Sequence, residues 1–342
     1  MTTPTAAGAP DPARILEAAF PLGELLDDDE RSWQHRARAF ATDRILPVIE
    51  DDAENQFFRR ELVRELGDAG FLGMQLEGYG CAGAGPVAYG LVCQELEAAD
   101  SSWRTFVSVQ GSLAMTAIHA HGSEEQKKEW LPRMARGEVI GSFCLTEPSG
   151  GSDPASMRTT ARRDGDDWII DGAKRWIGLA SVADLAVVWA KDDADGTVRG
   201  FLVPTTTAGF AATPIAGKLS MRASIQCDVV LDGVRVPSSA MLPAARGLSG
   251  PFTCLNEARF GIAWGVMGAA RSCLEAAIGR ARTREVFGNP IGSRQLIQAQ
   301  LADMLVEYET GVLLAVHLAG LKKRGALHGA PDRAAGSRDP RG

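Results

Sequence analysis

Side chains able to hold a polar ligand crowd the stretch Thr146-Glu147-Pro148-Ser149-Gly150-Gly151-Ser152-Asp153, directly after the apolar run Phe143-Cys144-Leu145. Thr146, Ser149 and Ser152 can each donate a hydrogen bond. Gly150-Gly151 lets a backbone come close to a ligand, because no Cβ blocks the approach and positive φ costs little. The same composition also makes an ordinary turn, so the residues alone leave both readings open. A second group, Lys174-Arg175-Trp176-Ile177-Gly178, pairs two cations with an aromatic ring. A third is Arg104, with Glu97 on the preceding helix. A guanidinium is a planar fork that matches a carboxylate bidentately and keeps its charge in a closed pocket. An exposed Arg–Glu contact would be worth under about 1 kcal/mol. His119 and His121 are two apart and do not share a helix face, so no metal pair is expected.

The elements that must position these groups follow from composition and period. The chain has 342 residues, 45% hydrophobic and 23% charged, which suits two or three globular domains. A net charge of −7 with no block of Lys and Arg argues against a nucleic-acid partner. The six cysteines show no CxxC pairing, which implies reduced thiols in a cytoplasmic protein, without disulfides or zinc. No apolar run is expected to reach membrane length. Residues 1–13 are small and polar and are expected to form a disordered lead-in.

Residues 14–138 carry a helical period. Pro86 to Ala99 has an apolar stripe through Val87, Leu91 and Leu96, and Ser123 with Gln126 spells a capping box. Over 139–248 the period becomes two. Strands are expected at Thr159–Arg163, Trp168–Arg175, Leu185–Lys191, Val198–Pro204, Phe210–Ile215 and Cys227–Val236. Short strands at this spacing predict a small antiparallel barrel or sandwich. Helical period returns over 249–323, with Gly261, Gly265 and Gly268 recurring near one-turn spacing. Each costs about 1 kcal/mol of helix propensity against Ala, which predicts close approach of another helix or a ligand. The fold class expected is therefore α+β, in the order helical, β, helical. Residues 324–342 show no period and are rich in Ala, Gly, Arg and Pro.

Leu145-Thr146-Glu147-Pro148 with Gly151-Ser152-Asp153, and Lys174-Arg175-Trp176-Ile177, resemble the flavin-contacting segments of the acyl-CoA dehydrogenases. Asn256-Glu257-Ala258-Arg259, Gly261-Ile262-Ala263-Trp264-Gly265 and Arg284…Phe287-Gly288…Gln295 resemble the glutaryl-CoA dehydrogenase branch, collinearly from about Leu22 to about Lys323. The resemblance implies a helical domain, a β domain and a C-terminal four-helix bundle. It implies FAD, an acyl-CoA substrate, an electron-transfer flavoprotein as partner, and a homo-oligomer, tetrameric in the family. Phe143, Leu145, Thr146, Ser152, Trp176, Ile177 and Gly178 would border the flavin, and Arg284 and Gln295 would reach the FAD of a neighbouring subunit. Arg104, supported by Glu97, would hold the distal carboxylate of the substrate. Thr105, Ser152, Phe252, Asn256 and Arg259 would contact the acyl and CoA parts.

Two departures matter. Gly178 stands where the family commonly has Thr, which removes a hydroxyl near flavin N5 and resembles some acyl-CoA oxidases. The general base of the branch is a Glu followed by Gly beyond Lys323, and no such pair occurs there. The alternative base position matches Ala258, and Glu257 beside it is turned by about 100° around a helix. Half of the C-terminal bundle is also missing from the pattern, as a frameshift would leave it. The sequence therefore reads as a glutaryl-CoA dehydrogenase-like chain with little expected activity. A short-chain acyl-CoA dehydrogenase, an oxidase and an inactive remnant are the alternatives.

Overall fold

The computed structural model describes residues 11–327. Eight α-helices come first: α1 Pro12–Ala19, α2 Asp28–Phe40, α3 Ile49–Asn55, α4 Glu61–Asp68, α5 Pro86–Ala99, α6 Ser101–Val107, α7 Thr116–His121 and α8 Glu124–Ala135. Asp11 caps α1 through Ala13 N, so residues 12 and 13, expected in a lead-in, are helical instead. Residues 1–10 lie outside the described part. Ser123 and Gln126 form the expected capping box of α8, and Asp27 with Glu30 forms another on α2. Helix α5 is buried on nearly all sides, from Val87 to Glu97, and it is the centre of the helical core. Its Glu95 is buried and accepts hydrogen bonds from Arg38 at 3.0 Å and Arg271 at 2.7 Å, which ties α2, α5 and the later α9 together.

The middle of the chain is one seven-stranded sheet in the order β1-β4-β2-β3-β7-β6, with β5 on β4. Its strands are β1 Gly141–Cys144, β2 Thr160–Asp164, β3 Asp167–Gly178, β4 Leu185–Asp192, β5 Val198–Pro204, β6 Phe210–Pro214 and β7 Gln226–Pro237. The β-rich fold is as expected, but the pairing is mixed rather than purely antiparallel. β1 runs parallel to β4, and β2 is parallel to β4 at Thr160↔Lys191. The parallel strand β1 had no expected counterpart. All four of its residues are buried, so it lacks the alternation that marks a half-buried strand.

Helix α9 (Ser249–Thr283) and helix α10 (Gln295–Lys323) follow, joined by the small hairpin of β8 (Glu285–Val286) and β9 (Asn289–Pro290). The glycine spacing of α9 is explained by α5. A Cβ on Gly261 would lie 2.7 Å from the Tyr89 hydroxyl, and one on Gly268 would lie 1.9 Å from Gln94 O. In return, Trp264 occupies the space over Gly90, where a Cβ would come within 2.3 Å of the indole. The helices pack backbone to backbone.

Helix α10 corrects one expectation. By length and composition it is apolar enough to cross a membrane, with mean hydropathy 1.3 over an 18-residue window. Scattered acids such as Asp303 and Glu307 break any continuous apolar run, which hid this from a search for runs. In the fold α10 packs on α9, where Gly311 meets Met267, and Tyr308 accepts from Gln94 of α5 at 3.2 Å. Leu296, Val306 and Leu314 on its other side are exposed.

Candidate active site

Two short segments of the β domain are fastened to each other. Strand β1 ends in the loop that begins at Leu145, and β3 passes alongside it. Arg175 N donates to Thr146 O at 2.9 Å. Beneath that contact, Lys174 Nζ donates to Glu147 Oε1 at 2.9 Å and to Leu145 O at 3.2 Å, with both side chains buried. Glu147 also accepts from Arg158 N at 2.6 Å, Thr159 N at 3.0 Å and the Thr159 hydroxyl at 2.6 Å. Burial alone would raise the Glu147 pKa, but the Thr159 hydroxyl and the Lys174 charge outweigh it and hold the carboxyl below its ordinary range. Burial draws the Lys174 ammonium pKa down, against the pull of Glu147. The sequence reading quoted both residues within its motifs but gave neither a role. The only available sign was a charged residue inside each apolar segment.

The loop turns through Glu147 and Gly150, which exchange backbone hydrogen bonds at 3.0 and 3.2 Å. A Cβ on Gly150 would sit 2.8 Å from the Ser156 hydroxyl, so a larger residue there would have to turn that hydroxyl away. Opposite the loop, the β3–β7 register shifts between Lys174 and Ile177. That bulge holds Trp176 at φ 62°, with its ring 52% exposed. A bulky residue at positive φ costs of order 1–3 kcal/mol and is concentrated at functional sites. Of the expected flavin neighbours, Thr146, Ser152, Trp176 and Gly178 have open surface, whereas Phe143, Leu145 and Ile177 turn their side chains into the core. Phe143 packs on Trp189 with ring centroids 5.9 Å apart.

A second cluster lies in the helical core. Arg104 Nε donates to Glu97 Oε2, and both side chains are under 10% exposed (9% and 6%). Helix α9 passes over this pair at Gly265. Burial pushes the neighbouring Cys93 thiol up to about 12, so it stands beside the pair uncharged. The terminal nitrogens of Arg104 donate to no acceptor among the described residues. The buried hydroxyl of Thr105 is likewise without a partner among them. Such atoms are costly unless something satisfies them. After α6 the helix widens into a π-helical stretch, Ser108–Met115, a distortion common at functional sites. Its Val109 packs against the β-domain segment, since a Cβ on Gly178 would lie 3.4 Å from Val109 Cγ2.

The remaining expected residues are not drawn into either cluster. Asn256 and Arg259 are exposed and Phe252 is half-buried, on the side of α9 away from its glycines. Arg284 and Gln295 are exposed at the distal end of α9 and the start of α10. Ala258 is buried, and Glu257 is held by Lys322 of α10 at 2.5 Å.

Comparison with known proteins places all three parts of the chain. Residues 27–138 match the N-terminal domain of acyl-CoA dehydrogenases, 142–234 the middle domain and 245–337 the C-terminal domain. The last match runs past Lys323, where the sequence reading ended the likeness. A glutaryl-CoA dehydrogenase of Desulfococcus multivorans is 35% identical over 90% of this chain and 81% of its own. The human mitochondrial short-chain specific acyl-CoA dehydrogenase is 34% identical over 90% of this chain and 76% of its own. A solved glutaryl-CoA dehydrogenase of Mycobacterium smegmatis, in complex with FADH2, is 54% identical, with a TM-score of 0.89 over 91% of this chain and 80% of that one. On its motifs, its architecture and these matches along its length, the chain belongs to the acyl-CoA dehydrogenase family.

Proposed function

We propose that the chain is an FAD-dependent acyl-CoA dehydrogenase acting on glutaryl-CoA, with crotonyl-CoA and CO2 as products and an electron-transfer flavoprotein as acceptor. The observation that carries this reading is the buried Arg104–Glu97 pair, in which only Nε of the guanidinium is engaged, beside the unpartnered Thr105 hydroxyl. Two curated relatives of nearly equal identity act, by name, on different acyl groups, whereas the solved glutaryl-CoA dehydrogenase at 54% identity favours the glutaryl reading. A buried cation with free terminal nitrogens supports the same choice. A short saturated acyl chain offers it nothing, whereas a terminal carboxylate can take both Nη atoms and leave Nε with Glu97.

The β-domain segments fit a flavin. An exposed ring on a strained bulge lies across from hydroxyl donors, on a loop whose geometry is fixed from below by Lys174 and Glu147. Thr146, Ser152, Trp176 and Gly178 would hold the group, which when bound supplies the hydride acceptor. Arg104 binds and orients the distal end of the substrate, and Thr105 supplies a donor inside the same pocket. Removal of the α-proton needs a base, and neither α9 position considered for it can serve: Ala258 carries no acid, and Lys322 engages Glu257. The exposed Arg284 and Gln295 fit contacts with a neighbouring copy, and we read the protein as a homo-oligomer. A cytoplasmic location agrees with its unpaired cysteines.

The test is anaerobic titration of the FAD-loaded chain with glutaryl-CoA and butyryl-CoA, following the flavin spectrum and assaying CO2. Glutaryl-CoA is expected to bind and perturb the spectrum more tightly than butyryl-CoA. Equal affinity for the two would remove the glutaryl assignment. CO2 release by this chain would show that one of its own carboxylates serves as base.

A further inference from the structure

We infer that Gly265 is a specificity-determining positioning residue: its missing side chain leaves room on α9 for the Glu97–Arg104 pair and so selects acyl-CoA substrates ending in a carboxylate. The inference rests on the reading of Arg104 given above. A Cβ built on Gly265 would stand 2.4 Å from Glu97 Oε2, 3.0 Å from Arg104 Nε and 3.1 Å from Arg104 Cδ. A methyl group there therefore contacts both partners at the point where they join. The other two glycines of the series face different things. Gly261 meets the Tyr89 ring and hydroxyl, and Gly268 meets the backbone of Gln94 and Ala98. A Cβ at Gly268 would strike main chain, so that glycine is needed for the two helices to pack at all. At Gly265 the obstacle is the carboxylate end of Glu97 and the Arg104 side chain, which can turn away at the expense of their contact.

The chemistry follows from which bonds such a turn breaks. Glu97 takes the Nε–H of Arg104, which sets the plane of the guanidinium and leaves its Nη atoms for a ligand. Once Glu97 is displaced, the plane is no longer set. Arg104 then either follows Glu97 or pairs with it through an Nη atom, and in both cases the fork presented to a ligand carboxylate is lost. Helix propensity favours Ala over Gly by about 1 kcal/mol, so the glycine is kept against the preference of its own helix. A ligand without a distal charge makes no use of the fork and should be indifferent to the change.

The experiment measures the dissociation constants of glutaryl-CoA and butyryl-CoA by calorimetry on the FAD-loaded chain, for wild type, Gly265→Ala, Arg104→Gln and Gly265→Ala/Glu97→Asp. Thermal melts are recorded for each. Gly265→Ala is expected to weaken glutaryl-CoA about 10- to 100-fold, the range of a charge-assisted hydrogen bond, with butyryl-CoA unchanged within about 3-fold. In the double variant the shorter acid clears the methyl group, and part of the discrimination should return. That variant also carries the comparison if Gly265→Ala alone does not fold: a ratio between wild type and Arg104→Gln supports the inference, and one equal to Arg104→Gln overturns it. If Gly265→Ala keeps the wild-type ratio while Arg104→Gln loses it, the role of Gly265 falls and the reading of Arg104 stands. If Arg104→Gln also keeps the ratio, or wild type binds neither ligand, both fall.

Discussion

Among the described residues, the two acid–base pairs with both side chains under 10% exposed are built to opposite specifications. Around Lys174–Glu147 the carboxylate receives four donors and the ammonium has two acceptors, so little capacity is left over. Around Arg104–Glu97 only Nε is engaged, and a neighbouring hydroxyl has no partner. Burial of charge is costly in both places. In the first, the protein compensates it internally, and the pair clamps a loop to a strand. In the second, part of the compensation is left to something that binds. Of these two, the pair whose hydrogen bonds are complete serves as scaffold, and the pair with only Nε engaged is the one we assign to a ligand.

The largest effect should come from unbalancing the complete pair. Lys174→Met strands Glu147 without its cation, and urea denaturation should show a loss of about 3–5 kcal/mol. A loss below about 1 kcal/mol, the size of a surface pair, would mean that the clamp is not what stabilises the loop. Next comes the incomplete pair, where Arg104→Gln should raise the dissociation constant of glutaryl-CoA about 100-fold. Its effect on the urea midpoint should stay below that of Lys174→Met. The reverse ranking would make Arg104 the scaffold and Lys174 the ligand group.

Two threonines sharpen the same contrast. Thr159→Val removes a hydroxyl bonded to a carboxylate and should cost about 1.5–3 kcal/mol. Thr105→Val removes a hydroxyl that has no partner, and should be neutral or stabilising by up to about 1 kcal/mol. Equal costs in paired urea melts would erase the distinction. The smallest effect is in pH. Glu147 has a folded pKa below its unfolded value, so its contribution is complete above about 4.3 and is lost as pH falls through the folded value. The stability gap between wild type and Glu147→Gln should therefore be flat near neutrality and narrow in acid. A gap that widens in acid would reverse the sign of the shift.

What could be read in the sequence was what depends on neighbours along the chain. Pro86–Ala99 has the bounds that its period indicated, and the helical period expected over 249–323 is filled by α9 and α10. The partnership of Glu97 with Arg104 was also readable, because both lie at one helix–helix junction. What depends on distant segments was not. Strand β1 is known by its pairing with β4, and the parallel register of Gly141↔Leu185 has no local sign. Glu147 and Lys174 meet only once the loop after β1 is laid against β3, and the positive φ of Trp176 is imposed by a bulge against β7. The spacing of Gly265 was legible as close approach, but its partner was not, since any helix face would have produced the same interval.

The bulge at Trp176 also has an optical consequence. Of the seven tryptophans in the chain, Trp176 is the one with an exposed ring, and the other six are buried or half-buried. Its emission should lie at the red edge of the protein's fluorescence and be the component that acrylamide quenches first. A difference spectrum taken with and without quencher would then isolate one indole beside the loop at Thr146. The molecule so carries a built-in lamp at the mouth of its proposed cofactor site, which dims or shifts when a second ring system is laid against it.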